Sequence, residues 1–322
     1  MKNKKICVVG AGMWGMNHVK TLNVLGSLGG VVEINKNRID EIKYNFPNCL
    51  IYSSLDEALS AKFDGFIVAT PVSTHYELAL KIIKNKKPLL VEKPLTLDSE
   101  SAKKLCDYAE KMNVKLMVGH VLLFHPAFKK MKQLIKDGKI GEIQYIYSNR
   151  LNLGTFRTNE NVFWSFAPHD ISLFNFFFNQ KPLSITSRGV DILQKNIHDS
   201  SITSFNYKNN KMGHIFVSWL HPFKEHRFVI IGSKGMLHFE DSLNDKPILF
   251  YDKRAEFVNS IPNPRSGGIE KIVYNNEEEA LSNELEYFIS KIGNGRIEIA
   301  DGRDGLKVIK LMEKATKSLN NK

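Results

Sequence analysis

The sequence predicts an α/β chain, with a doubly wound parallel sheet in its first part and a second region dominated by strands. Three observations lead there. The apolar run Ile6-Cys7-Val8-Val9 feeds directly into Gly10-Ala11-Gly12-Met13-Trp14-Gly15 and then into an amphipathic helical pattern. Strand and helix patterns alternate from there to Val118, as they do when parallel strands are joined by crossover helices. Beyond Glu142 that alternation gives way to successive strand-like runs separated by turn residues. A length of 322 residues suits two domains, and the pattern change places them at 1–122 and 123–322.

The glycines of the first turn have distinct physical jobs when strand, G-x-G-x-x-G and helix occur in this order. They permit a tight turn, close backbone approach to a pyrophosphate and close helix–strand packing, with the anion on the helix N-terminus. The pattern gains weight from an acidic residue closing a second strand about 20 residues on. Glu33 does so at the end of Gly30-Val31-Val32-Glu33-Ile34. Its carboxylate can accept both hydroxyls of an adenosine ribose and repels a 2′-phosphate, which favours NAD over NADP. Lys36 and Arg38 follow closely and would partly compensate a phosphate.

Further along, Ser54 to Leu59 reads as a short capped helix and Gly65 to Thr70 as a buried strand broken by Thr70-Pro71. A helix from His75 to Asn85, a strand from Pro88 to Val91, a helix from Ser99 to Met112 and a strand from Lys115 to Val118 complete the alternation. Ligands of such sheets bind beyond the carboxyl ends of the strands. Gly10 to Gly15 (with Met13 and Trp14), Glu33, Thr70, Pro71, His75, Glu92, Lys93 and His120 all fall there and are the expected cofactor contacts. In Glu92-Lys93-Pro94 a lysine sits directly after a core strand. Its ammonium can hydrogen-bond a reacting oxygen and stabilise negative charge that develops on it; a lysine capping a turn is the plainer alternative.

Composition excludes several classes. The net charge is +11, but the lysines are spread along helix faces (Lys81, Lys84, Lys103, Lys104, Lys129, Lys130) and form no nucleic-acid-binding block. No apolar stretch approaches the ~18 residues of a membrane span, and the Lys-rich start runs straight into a strand, so a cytoplasmic location is expected. Cys7, Cys49 and Cys106 are widely spaced and suit reduced thiols, and no metal site is expected.

Four motifs together resemble the glucose-fructose oxidoreductase / inositol dehydrogenase / rhizopine-catabolism family of NAD(P)-dependent oxidoreductases. They are Gly10-Ala11-Gly12-Met13-Trp14-Gly15, Ala69-Thr70-Pro71 with Thr74-His75, Val91-Glu92-Lys93-Pro94-Leu95, and Pro168-His169-Asp170-Ile171. The stretch Gly119 to Asp170 is most similar to members associated with nucleotide sugars and surface polysaccharides. The resemblance implies an N-terminal Rossmann domain and a C-terminal α+β domain on a large, mostly antiparallel open sheet, whose exposed face pairs copies into a homo-oligomer. Strand-like runs at Glu142 to Arg150, Ser184 to Asp191, Ser201 to Tyr207, Met212 to Trp219, Arg227 to Ile231 and Met236 to Glu240 agree with it. Two helical patterns, Glu277 to Ile292 and Asp301 to Leu319, close the chain.

The resemblance also implies catalytic roles. Lys93 matches the lysine that contacts substrate near the nicotinamide, and His169 matches a general acid/base. Relatives commonly carry an aspartate four residues before that histidine, where this chain has Ser165. Arg150, Asn152, Arg157 and Trp164, with Ser165, are candidate sugar contacts, since arginine forks match phosphate oxygens. His125 reads as a capping or packing residue. The expected activity is hydride transfer between NAD and a sugar ring hydroxyl, of a nucleotide-linked sugar and at C3. A ketosugar or imine reductase and a non-catalytic NAD-binding regulator are the alternatives.

Overall fold

Six strands, β1 (Ile6–Val9), β2 (Leu28–Val32), β3 (Leu50–Tyr52), β4 (Gly65–Val68), β5 (Leu89–Glu92) and β6 (Leu116–Gly119), form one parallel sheet in the order β3-β2-β1-β4-β5-β6. Successive strands are added outward in one direction from β1 to β3 and in the other from β4 to β6, so the strand order reverses between β1 and β4, the switch point at which such sheets open a ligand crevice. β1, β4, β5 and β6 are buried along their whole length, as continuous apolar runs covered on both faces must be. The connecting helices are α1 (Met13–Val24), α2 (Lys36–Asn45), α3 (Leu55–Ser60), α4 (His75–Lys84) and α5 (Ser99–Lys111). Asn35, Ser54 and Asp98 cap α2, α3 and α5 by accepting the backbone N–H three residues on. α1 differs: its N-cap is Gly12, which offers no side-chain cap, and its first turn holds no acidic residue.

The computed structural model describes residues 4–320, which fall into two compact units. The first holds the chain up to Phe124 together with Glu279–Lys310; the second holds His125–Glu278 and the residues from Leu311 onward. The sequence boundary at 122/123 lies near this division, but assigning everything after it to the second domain needs correction. Within the first unit, α8 (Ala280–Lys291) packs against α1 and the turn Val121–Phe124, Lys115 donates through Nζ to the carbonyls of Lys291 and Asn294, and Val118 N donates to Ala300 O at 2.8 Å. These long-range contacts have no local pattern in the sequence. The second boundary falls inside the last helix, α9 (Gly302–Asn320).

The second unit contains α6 (Pro126–Lys136), β7 (Ile143–Leu153), α7 (Val162–Phe178), β8 (Ser184–Val190), β9 (Ser200–Asn206), β10 (Met212–Ser218), β11 (Leu220–Gly232), β12 (Met236–Glu240), β13 (Ile248–Val258) and β14 (Ile261–Ile272). Its sheet runs β14-β13-β12-β11-β7-β10-β9-β8 and is antiparallel except at β7–β10. Eight strands are present where the sequence pattern shows six. β13 and β14 escape it because most of their residues are exposed and Pro262 and Pro264 sit in β14; an edge strand tolerates proline where a central one does not. Phe174 of α7 meets Phe205 and Phe228 at ring-centroid distances of 5.6 and 6.0 Å, and Phe128 of α6 meets Phe228 and Phe239 at 5.3 Å each. Each such buried ring contributes about 1.5–3 kcal/mol by leaving water, so this aromatic layer fixes where α7 lies on the sheet.

Candidate active site

In the first unit the carboxyl ends of β1, β2, β4, β5 and β6 carry, in turn, the glycine turn, Glu33, Thr70-Pro71, Lys93 and His120. Gly10 has φ +89° and a Cβ there would lie 2.6 Å from Thr70 Cγ2. At Gly15 a Cβ would come within 2.1 Å of Gly10 O, which forces glycine where helix and strand meet. At Gly12 a Cβ would meet nothing within 4 Å. That open flank, with the uncapped first turn of α1 whose N–H groups have no intrahelical partner, fits a dinucleotide pyrophosphate. Met13 and Trp14 are exposed in this turn, as is Gly12.

Glu33 follows β2 directly. One carboxylate oxygen accepts from Ala11 N at 2.8 Å, the other from Ile34 N and Asn35 N at 2.8 and 2.9 Å. The carboxylate is therefore held against the glycine turn, beside which a ribose would sit. Thr70 Oγ1 shares a hydrogen bond with Thr74 Oγ1 at 2.7 Å, and Pro71 is exposed at the start of the turn Val72–Thr74.

His75 is buried and faces inward. Its Nδ1 lies 2.9 Å from Pro94 O and its Nε2 2.9 Å from Thr70 O, so the ring struts the turn after β4 to the turn after β5. Burial lowers its pKa against the opposing pull of those carbonyls and Glu92. His120 is 1% exposed, and neither ring nitrogen has a hydrogen-bond partner among the described residues. Burial drives its pKa down to about 4, which keeps the ring neutral at pH 7.

Glu92 is 7% exposed and serves as an acceptor for its own unit. Oε1 accepts from Trp14 Nε1 and His18 Nε2, both at 2.7 Å, and Oε2 accepts from Lys93 N at 3.1 Å. Burial alone would raise its pKa, but the hydrogen bonds and charges of His18, Trp14 and Lys93 hold it below the usual carboxylate range. Lys93 stands half-buried beside it, before a cis peptide to Pro94. Nothing local in the sequence marks His18 as a partner of Glu92; the one signal is its i, i+4 spacing from Trp14, which puts the two on one helix face.

In the second unit, α7 carries Trp164, Ser165, His169 and Asp170. Ser165 and His169 occupy one face at i, i+4 spacing, and both are half-buried. Asp170 points the other way, toward β7. At 1% exposure it accepts from Ser148 Oγ at 2.5 Å and from Arg150 Nε and Nη2 at 2.9 and 3.1 Å. Arg150 thus holds the helix to the sheet through a two-point fork, a role invisible to a reading that treats it as a phosphate clamp. Trp164 Nε1 donates to Thr316 Oγ1 at 2.8 Å, Asn152 is half-buried near the end of β7, and Arg157 is exposed beside Glu160 at 3.8 Å. The structure therefore groups Ser165 with His169, engages Arg150 and Trp164 elsewhere, and leaves Arg157 on the surface. His125 caps α6, its Nδ1 accepting from Ala127 N at 3.1 Å.

Residues 4–120 match the GFO/IDH/MocA oxidoreductase family, NAD-binding Rossmann fold, and residues 128–238 match the GFO/IDH/MocA C-terminal domain. The chain is 26% identical over 303 residues to the UDP-N-acetylglucosamine 3-dehydrogenase of Acidithiobacillus ferrooxidans, covering 94% of this chain and 93% of that one. It is 25% identical over 274 residues to the inositol 2-dehydrogenase of Rhizobium meliloti, covering 82% and 80%. A solved structure of UDP-N-acetylglucosamine 3-dehydrogenase GnnA from Acidithiobacillus ferrooxidans shares the fold, with a TM-score of 0.86 at 24% identity over 99% of this chain and 98% of that one. Two family domains matched in order, on a glycine turn built to receive a dinucleotide, make the chain an NAD-binding oxidoreductase of the GFO/IDH/MocA family.

Proposed function

We propose that this enzyme is a CH–OH dehydrogenase that oxidises a ring hydroxyl, at C3, of a nucleotide-linked sugar in the cytoplasm, with NAD as hydride acceptor. The observation that carries the reaction type is Lys93, set at the carboxyl end of β5, on the same edge of the sheet as the glycine turn after β1, with β4 between the two strands. The nearly end-to-end similarity to UDP-N-acetylglucosamine 3-dehydrogenase supports the sugar class. The carboxylate of Glu33 against the glycine turn supports NAD over NADP, because a 2′-phosphate there would meet a like charge.

When bound, the nicotinamide supplies the hydride acceptor. The chain supplies the rest. The Lys93 ammonium orients the reacting hydroxyl and stabilises charge that builds on its oxygen. The imidazole of His169 takes the hydroxyl proton, a task suited to a group that titrates near neutrality. Ser165 shares the face of His169 and can orient the ring, but a hydroxyl cannot stabilise an imidazolium as a carboxylate does.

The test is anaerobic absorbance at the reduced-nicotinamide band after addition of NAD or NADP and a panel of nucleotide sugars. Reduction of NAD by a nucleotide sugar is the expected result. Reduction only by free inositols would replace the sugar class, and oxidation of reduced cofactor by ketosugars alone would reverse the direction. Ser165→Asp gives a separate prediction for His169. A carboxylate beside the ring favours its charged form, so the acid limb of kcat/KM should move to higher pH by about one unit. An unmoved limb would remove His169 from the role of base.

A further inference from the structure

We propose that Glu92 is a positioning residue that fastens the cofactor turn to the lysine turn, so that the first helical turns of α1 and the backbone of Lys93 move as one piece. The inference rests on the role given to Lys93 above and adds a residue that acts through it.

The geometry is specific. Three donors from two separate segments converge on one carboxylate: the Trp14 indole and the His18 imidazole from α1, and the Lys93 amide from the end of β5. An ionised carboxylate only accepts, so Nε2 of His18 carries the proton in this contact. The neighbouring strand makes room for it. A Cβ on Gly119, which pairs with Glu92 across β5 and β6, would lie 2.8 Å from the carboxyl carbon and from Oε1. Glycine at 119 is thereby required by the carboxylate and not by its own backbone angles.

Other buried polar groups surround Glu92. Glu284 of α8 is fully buried, and neither of its oxygens has a hydrogen-bond partner among the described residues. Burial and the charge of Glu92 raise its pKa well above the ordinary value. The buried His120 sits on the β6 side and Asp304 of α9 acts on that ring. The side-chain hydrogen bonds of Glu92 thus run to α1 and the lysine turn, while its charge also reaches the rings of His75 and His120. Trp14 belongs to the turn whose backbone faces the cofactor, so binding there and the placement of Lys93 share one anchor.

Glu92→Gln in the full-length protein tests this. The amide keeps the volume but turns one acceptor into a donor facing Lys93 N. With the sugar that the parent oxidises, kcat should fall by about ten- to a hundredfold, because a small misplacement of a catalytic group costs that much. KM for the sugar should change by less than about threefold, since Glu92 touches no substrate. Independently of turnover, the indole N–H resonance of Trp14, identified by its loss in Trp14→Phe, should move upfield, and NAD affinity measured by calorimetry should drop about fivefold, the worth of one hydrogen bond.

If the parent oxidises no sugar, the functional reading fails, while the resonance and the calorimetry still decide the anchor. An unchanged resonance and NAD affinity would overturn the proposal. So would a lower Tm with unchanged kcat in the folded enzyme, which is what a purely structural carboxylate predicts. If Glu92→Gln does not fold, Trp14→Phe removes a single arm: lower kcat with unchanged sugar KM supports the anchor, and parental kcat overturns it.

Discussion

Lys93→Ala is expected to lower kcat by about a thousandfold while leaving NAD affinity within about threefold of the parent, on the scale seen when one preorganised donor to a developing oxyanion is removed. The split follows from placement. In the proposed placement the glycine turn, Glu33 and the α1 N-terminus would hold the dinucleotide without the Lys93 side chain, whereas the reacting oxygen has that ammonium as its proposed partner. Lys93→Arg should not restore the rate, because a planar fork cannot occupy the place of a compact ammonium. Single-turnover rates with saturating sugar, beside NAD titrations by calorimetry, are the measurement. A variant that retains kcat within about fivefold would return Lys93 to the plainer role of a turn-capping residue.

Asp170→Ala should destabilise the second unit by about 3–5 kcal/mol, because it strands the Arg150 guanidinium and Ser148 against the inner face of α7 without an acceptor. For a unit of this size that corresponds to a fall in Tm on the order of 10 °C. Removing both charges together has a different consequence. Arg150→Met with Asp170→Leu should recover most of the loss, since a buried ion pair replaced by packed apolar groups is often neutral. Differential scanning calorimetry of parent, single and double variants decides the matter. If the single change melts with the parent, the fork contributes nothing and α7 is held by its aromatic face alone.

What was legible in the sequence had a local cause. The glycine turn, the strands whose runs are apolar throughout and the capped helix at Ser54 are each specified within a few residues, and the structure places them where the pattern does. β13 and β14 are specified by pairing with neighbours across long separations, and their own residues alternate too weakly to show it. The site divides along the same line. That Lys93 follows a strand end is readable from sequence; that Glu92 turns inward to His18 and Trp14, or that His75 spans two turns, depends on how helices pack on the sheet. Arg150 is the sharpest instance. Its residue type suggests a phosphate, and only the burial of Asp170 across from β7 reveals the partner it has.

Glu33 combines two tasks in one side chain. The carboxylate that would discriminate between riboses also ties Ala11 N to the end of β2, and its second oxygen is bonded to Ile34 N and Asn35 N. Redesign of the enzyme for a phosphorylated ribose therefore cannot be a single exchange of charge. A neutral or basic residue at this position would release three backbone donors and loosen the turn, so the new sequence would have to rebuild the loop after β2 before it gained the new coenzyme. With Glu33 as the proposed discriminator, coenzyme preference and the rigidity of the entrance would be inherited as one trait.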